Sequence, residues 1–223
     1  IRQTDIRIRR RILPWTKDKW VMLGFPNAYF HQPVDSFRAI ISNVVSSYDG
    51  TLVGDDLFMA TEGSGFIRIN LRRPRFDIIE TPPFKRQNLY ISVYRKPGSD
   101  ILLVGGQDSL FAYDHVKEKA STVWGMSGLG IVRTVLWDTT HQGYWVGTDK
   151  GLYLLDRQFN TIRSVLQSPQ DLAGSTVSDL LFERRSGRLW VSHENGVDIL
   201  DRKNGRIIER LSTAVLSNPK VVT

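Results

Sequence analysis

The chain has 223 residues, 41% of them hydrophobic and none of them cysteine. That is enough for a packed core but gives no disulfide framework, thiolate metal site or thiol nucleophile, and no apolar run approaches the roughly 18 residues of a membrane helix. The formal charge of +7 is local: residues 1–20 hold seven basic and two acidic residues, and the remainder holds 23 and 21.

The chain opens on IRQTDIRIRRR, with no signal peptide and no initiator Met, and reads as a processed protein or an excised piece. Arg7, Arg9, Arg10 and Arg11 could meet an anion. No helix-turn-helix, zinc finger or stacking motif accompanies them, so no nucleic-acid partner is expected. They read instead as an edge strand whose charges oppose sheet-to-sheet association.

From there the chain repeats itself. KWVMLGFPNAYF (19–30), LFMATEGSGFIRIN (57–70), LLVGGQDSLFAYD (102–114), YWVGTDKGLYLLD (144–156) and LWVSHENGVDILD (189–201) share one frame. The anchors Trp20, Phe58, Leu103, Trp145 and Trp190 are spaced by 38, 45, 42 and 45 residues. In the last unit VSDLLFE, LWVS, VDILD and RIIERL read as four strands, with Asn195-Gly196 and Asn204-Gly205 as tight turns. The strands are mostly apolar, as expected for sheets covered on both faces. Four antiparallel strands per unit at this period predict an all-β fold, a β-propeller of four-stranded blades. Blades are expected at about 5–36, 37–84, 85–128, 129–172 and 173–216, with 217–223 opening a sixth. Five blades and one strand read as part of a larger ring of about seven, with a closed five-bladed ring as the alternative. The anchors are expected at blade interfaces, and the small residues two positions later (Ala60, Gly105, Gly147, Ser192) are expected to allow close backbone approach.

The two best copies resemble the W-V-G-T-x-x-G-L-x-x-L-D repeats of two-component regulator propellers. That resemblance implies an extracytoplasmic sensor domain of a hybrid histidine kinase or related receptor. It implies a periplasmic location on an inner-membrane receptor, a homodimer made through the full-length protein, and membrane contact only through segments outside this chain. It also implies a small-molecule or oligosaccharide ligand and a separate output module.

By analogy with the fold, loops between strands two and three, and between blades, gather on the ligand face. The residues expected there are Glu62, Arg86, Gln107, Asp108, Trp124, Thr148, Asp149, His193 and Glu194, with Thr61, Lys85 and Met126 beside them. Segments 80–88, 121–130 and 166–176 are the inter-blade loops. No catalytic residue, metal site or cofactor is expected. His31, His115, His141 and His193 lack metal-ligand spacing, and His115 and His141 read as exposed turn residues. His193 and Glu194 read as neighbours pointing apart. Asp114, Asp156 and Asp201 recur at one blade position and read as turn caps. A polysaccharide lyase or glycosidase, and a protein-binding scaffold, are the alternative functions.

Overall fold

The computed structural model describes residues 7–25, 28–32, 36–39, 47–61, 63–73, 75–85, 88–96, 98–166, 168, 170–183 and 186–212. Among them are twenty strands and no helix. The first sheet comprises β1 (Arg7–Thr16), β2 (Lys19–Phe25), β3 (Ala28–Gln32) and β4 (Ser36–Ala39). The second has β5 (Ser47–Val53), β6 (Asp56–Thr61), β7 (Phe66–Asn70) and β8 (Arg75–Ile79). The third has β9 (Tyr90–Arg95), β10 (Ile101–Gly106), β11 (Ser109–Asp114) and β12 (Lys119–Gly125). The fourth is β13 (Val132–Asp138), β14 (Gly143–Thr148), β15 (Gly151–Leu155) and β16 (Thr161–Val165). The fifth is β17 (Val177–Glu183), β18 (Arg188–His193), β19 (Gly196–Asp201) and β20 (Ile207–Ser212). In each sheet the strands lie in sequence order, as an antiparallel meander. The stretch 213–223, read as the start of a sixth unit, lies outside the described residues.

The meander follows from the turns. Asp114, Asp156 and Asp201 each accept backbone N–H groups two or more residues ahead, from Val116 and Lys117, Gln158 and Asn160, and Lys203 and Asn204. A carboxylate that accepts two such donors fixes the reversal between strands three and four. At Gly196, φ is +135°, and an added Cβ would stand 2.1 Å from the Leu211 carbonyl, so only glycine fits beside β20. Strand one begins with a bulge in four sheets, between Ser47 and Asp49, Tyr90 and Ser92, Val132 and Thr134, and Val177 and Asp179.

The chain divides into two compact units, Ile1–Gln107 with Phe111–Thr122, and Asp108–Leu110 with Val123–Thr223. In the first unit, Leu13, Val21 and Leu23 pack with Leu57, Met59, Ile67 and Ile69. The opposite face of the second sheet, with Phe58, Ala60 and Phe66, packs with Val93, Leu102, Val104, Phe111 and Tyr113. Asp49 ties three sheets of this unit: it accepts from Arg11 at 2.7 Å, from the Gly50 N–H at 2.8 Å and from the Val93 N–H at 3.0 Å. Burial pushes its carboxyl above the ordinary aspartate value despite Arg11 and the two N–H donors.

In the second unit, Trp145, Leu152, Leu154 and Val165 of the fourth sheet are covered by Val177, Leu180, Leu189, Val191 and Leu200 of the fifth. A Cβ on Gly147 would come 2.5 Å from Val177 Cγ1 and 2.7 Å from Thr134 Cγ2. The small residue there is what lets the next sheet in.

The anchor series needs two corrections. Trp20 is 41% exposed, whereas Val21 and Leu23 are fully buried. The first repeat, 19–30, is therefore out of frame by one residue, and a one-residue slip in a strand exchanges its faces. Trp190 is only half-buried, against 1% exposure for Trp145.

The inter-blade loops also differ from solvated turns. Phe84, Trp124 with Leu129, and Leu172 are buried in the three segments. Phe84 meets Phe66, Tyr90 and Phe111 with ring centroids 5.2–5.4 Å apart. Phe84 and Leu172 join the core clusters and hold their loops to them.

Candidate functional site

In the second, fourth and fifth sheets the turn between strands two and three is built around one buried side chain. In the second and fourth sheets it is a threonine. Thr61 donates its hydroxyl to the Gly65 carbonyl at 2.6 Å, and Thr148 to the Gly151 carbonyl at 3.0 Å. Thr148 also accepts from the Lys150 N–H at 3.0 Å. Both hydroxyls are satisfied by the chain itself, which stabilises a buried polar group without offering it to a ligand.

The next residue in the turn is acidic in the fourth and fifth sheets. Asp149 accepts from the Ile131 N–H at 3.0 Å and pairs with Arg133 Nε. Glu194 accepts from the Ser175 N–H at 2.8 Å and the Thr176 N–H at 2.9 Å. Burial would raise the Glu194 carboxyl, but the backbone donors outweigh it and hold it below the usual glutamate value. In the third sheet, Asp108 accepts from the Gly130 N–H at 2.7 Å. These carboxylates latch a hairpin turn to the segment that leads into a strand one.

Gly130 brings two of the expected site residues together: its N–H lies on Asp108, and a Cβ on it would be 2.6 Å from Asp149 Cβ. Gly174 does the same for His193 and Glu194. A Cβ there would lie 2.6 Å from His193 Nδ1 and 2.7 Å from Glu194 Oε2. These two side chains therefore converge on Gly174, contrary to the expectation that they point apart. The reason is that Glu194 lies in the turn, where strand alternation no longer applies.

His193 is also not the exposed loop residue expected. Its side chain is 1% exposed and faces the equally buried Asp198, with Nε2 3.4 Å from Oδ2. Asp198 accepts from the Ala173 N–H at 2.8 Å, and Arg210 Nε stands 3.5 Å from its other oxygen. Trp124 is buried as well. It packs on Tyr153 with centroids 5.2 Å apart and donates its indole N–H to Thr161 Oγ1 at 3.0 Å. Gln107 and Met126 are exposed. Glu62 and Arg86 lie outside the described residues, while Lys85 is exposed.

A second polar centre, which sequence reasoning passed over, surrounds Asp138. This fully buried carboxylate accepts from Trp145 Nε1 at 2.8 Å, the Thr140 N–H at 2.7 Å and Arg202 Nε at 2.8 Å. His141 Nδ1 lies 2.8 Å from it, and His141 Nε2 lies 3.2 Å from the Lys203 carbonyl. Burial would raise the Asp138 carboxyl, but Arg202, His141, Thr140 and Trp145 together hold it below the usual range. His141 is therefore a bridging residue rather than an exposed one. His115 is mostly buried too, with its ring 5.9 Å from Phe58.

The sequence signals for the missed groups are modest but real. Asp198 is a carboxylate in an apolar strand, at the position where the fourth sheet has Tyr153. Asp138 and Glu183 end strand one seven residues before their tryptophans, and Glu183 receives the Trp190 indole N–H at 3.4 Å. Among the described residues, no group of three His, Asp or Glu side chains is placed to hold a metal ion.

No known family profile matches the chain, and no curated protein matches it either. Solved structures do. An extracellular domain assigned to the one-component system BT4673 of B. thetaiotaomicron superimposes with a TM-score of 0.74 at 15% identity, over 88% of this chain and 28% of that one. An extracellular domain assigned to the hybrid two-component system BT3049 of the same organism gives 0.70 at 16%, over 91% and 28%. Sqt1 of Saccharomyces cerevisiae gives 0.67 at 14%, over 90% and 61%. With the five four-stranded sheets, these likenesses define the fold class as β-propeller. The chain spans about a quarter of the length of the two extracellular domains.

Proposed function

We propose that this chain is part of a non-catalytic, ligand-sensing propeller on the extracytoplasmic side of a bacterial signalling receptor. The observation that carries this reading is its likeness, over 88% of the chain, to an extracellular domain assigned to a one-component system. The repeat letters W-V-G-T and G-L-x-x-L-D point the same way. The receptor is a homodimer held at the inner membrane, and its output module lies outside this chain. Ligand binding changes blade packing, and the change passes through a membrane segment to that module.

The turn chemistry favours binding over catalysis. Asp108, Asp149 and Glu194 each direct carboxylate oxygens at backbone N–H groups of their own fold. Such groups fix the shape of a surface. A glycosidase instead needs two carboxylates facing each other across a cleft. With His193 and Trp124 buried, ligand contact falls to exposed groups such as Gln107 and Met126.

The test is calorimetric titration of the extracytoplasmic protein with a panel of neutral and acidic oligosaccharides, with chromatography of the same mixtures. Saturable binding with every oligosaccharide recovered intact supports the proposal. New products of chain cleavage overturn the non-catalytic reading, and an absence of binding across the panel overturns the ligand class.

A further inference from the structure

The fifth sheet places a titratable ring where the second and fourth have a threonine. His193 occupies the position of Thr148 at the end of strand two, and its Nδ1 accepts from the Asn195 N–H at 3.1 Å, as Thr148 Oγ1 accepts from Lys150. Because Nδ1 accepts, the ring proton sits on Nε2. That proton faces Asp198 at 3.4 Å without a hydrogen-bond partner, and Asp198 Oδ1 has none either. Buried polar atoms left unpaired are uncommon in folded proteins and mark places where the structure has an alternative arrangement or a further role.

The segment above this ring is held by the same residues. Ala173 gives its N–H to Asp198 and receives Asn195 Nδ2 on its carbonyl, both at 2.8 Å. Ser175 and Thr176 give their N–H groups to Glu194. Arg210 donates to the Asp171 carbonyl. Gly174 lies directly over the ring and the Glu194 carboxylate. Every polar contact named here between residues 171–176 and the fifth sheet runs through His193, its turn or its partner Asp198 and neighbour Arg210.

We propose that His193 is a proton-operated catch on residues 171–176. In the neutral ring, Nδ1 closes the turn through Asn195 and leaves Glu194 free to hold Ser175 and Thr176. A proton added at Nδ1 turns that acceptor into a donor aimed at the Asn195 N–H, and the turn bond is lost. The new cation sits between Asp198 on β19 and Glu194 in the turn, with Arg210 on β20 as the positive group paired to Asp198. Asp171 in the loop hydrogen-bonds to Ser168, and Asp179 on β17 is exposed with Oδ1 on the Leu180 N–H, so neither competes for the ring. Glu194 is the acceptor within reach of the protonated Nδ1. As it turns to the ring it leaves Ser175 and Thr176. Histidine changes charge in the range of roughly pH 5 to 8, where threonine does not, so only the fifth sheet carries such a catch among the turns described.

Hydrogen exchange of residues 171–176 tests this at about pH 7.5 and about pH 5, corrected for intrinsic exchange and compared with residues 143–148 as an internal reference. The expected result is a loss of protection at Ser175 and Thr176 of about tenfold or more at the lower pH, with the reference segment unchanged. In His193→Thr, which restores the residue of the other turns, the pH response should vanish. Equal protection at both pH values in the wild type overturns the proposal, as does an unchanged response in His193→Thr or an equal loss in the reference segment. Should His193→Thr not fold, imidazole nitrogen NMR of the wild type decides. A proton on Nδ1 in the neutral ring, or a ring that does not titrate across this range, overturns it.

Discussion

The fourth and fifth sheets are written in nearly the same letters and use them differently. Trp145 is 1% exposed, covered by the fifth sheet, and hydrogen-bonded to a buried Asp138. Trp190, its counterpart, is half-buried and donates over 3.4 Å to Glu183, and the neighbouring Leu181 is 64% exposed. Thr148 closes its turn with a hydroxyl; His193 closes the same turn with a ring that can take up a proton. Sequence identity at a repeat position therefore fixes the strand and the turn. What a residue contributes depends on the layer that lies against it.

The largest expected effect separates the two tryptophans. Trp145→Ala should cost about 3–5 kcal/mol, as for truncation of a fully buried aromatic, while Trp190→Ala should cost clearly less. Denaturant midpoints of the two variants measure the difference. Equal losses would mean that the two sheets are equally covered, which would erase the contrast. An expectation from sequence alone treats both tryptophans as core, and only burial distinguishes them.

Asp138→Asn comes next. It removes the charge paired with Arg202 and should destabilise by about 2–4 kcal/mol, since the partly buried guanidinium is left uncompensated. The same group predicts a pH dependence. Its folded value is depressed below the unfolded value of 3.8, so its stabilisation is complete above that value and is lost as pH falls through the folded one. The wild type should lose stability in acid below about pH 4, and Asp138→Asn should lose less over that window. Parallel acid-denaturation curves for the two proteins would remove Asp138 as a source of the pH dependence.

A smaller effect exchanges the residues behind the anchors. Gly147→Ser places atoms where Val177 already lies and should cost about 1–3 kcal/mol by overpacking. Ser192→Gly, the reverse exchange in the fifth sheet, should cost no more than about 1 kcal/mol, from added chain freedom. The smallest global effect is expected for Glu194→Gln, below about 1 kcal/mol, because solvent screens this exposed carboxylate. Its consequence should be local, a loss of exchange protection at Ser175 and Thr176.

Much of the fold was legible because its signals are short-range. Asn-Gly pairs, recurring aspartates and small residues at fixed offsets act within a few positions of themselves, and they mark the last two turns of the fifth sheet. The first repeat resists framing because KWVMLG offers large apolar residues on both faces, so alternation gives no register there. The candidate site was legible only as a set of turns. Trp124 reads as an exposed loop aromatic until Tyr153 and Thr161 are brought beneath it. His193 reads as a solvent-facing turn residue until Asp198, five positions later, folds back against it.

The sequence by itself determined the four-stranded unit, its period and its reversals, because backbone hydrogen bonding and turn conformation are settled by neighbours in the chain. The tertiary structure decided which of the recurring residues are core, latch or surface. Burial is a property of the facing layer: Val177 closing on Gly147, Gly174 resting on His193, and Arg202 reaching Asp138 across 64 residues. No local pattern encodes that partner, and the energy of each such group depends on it.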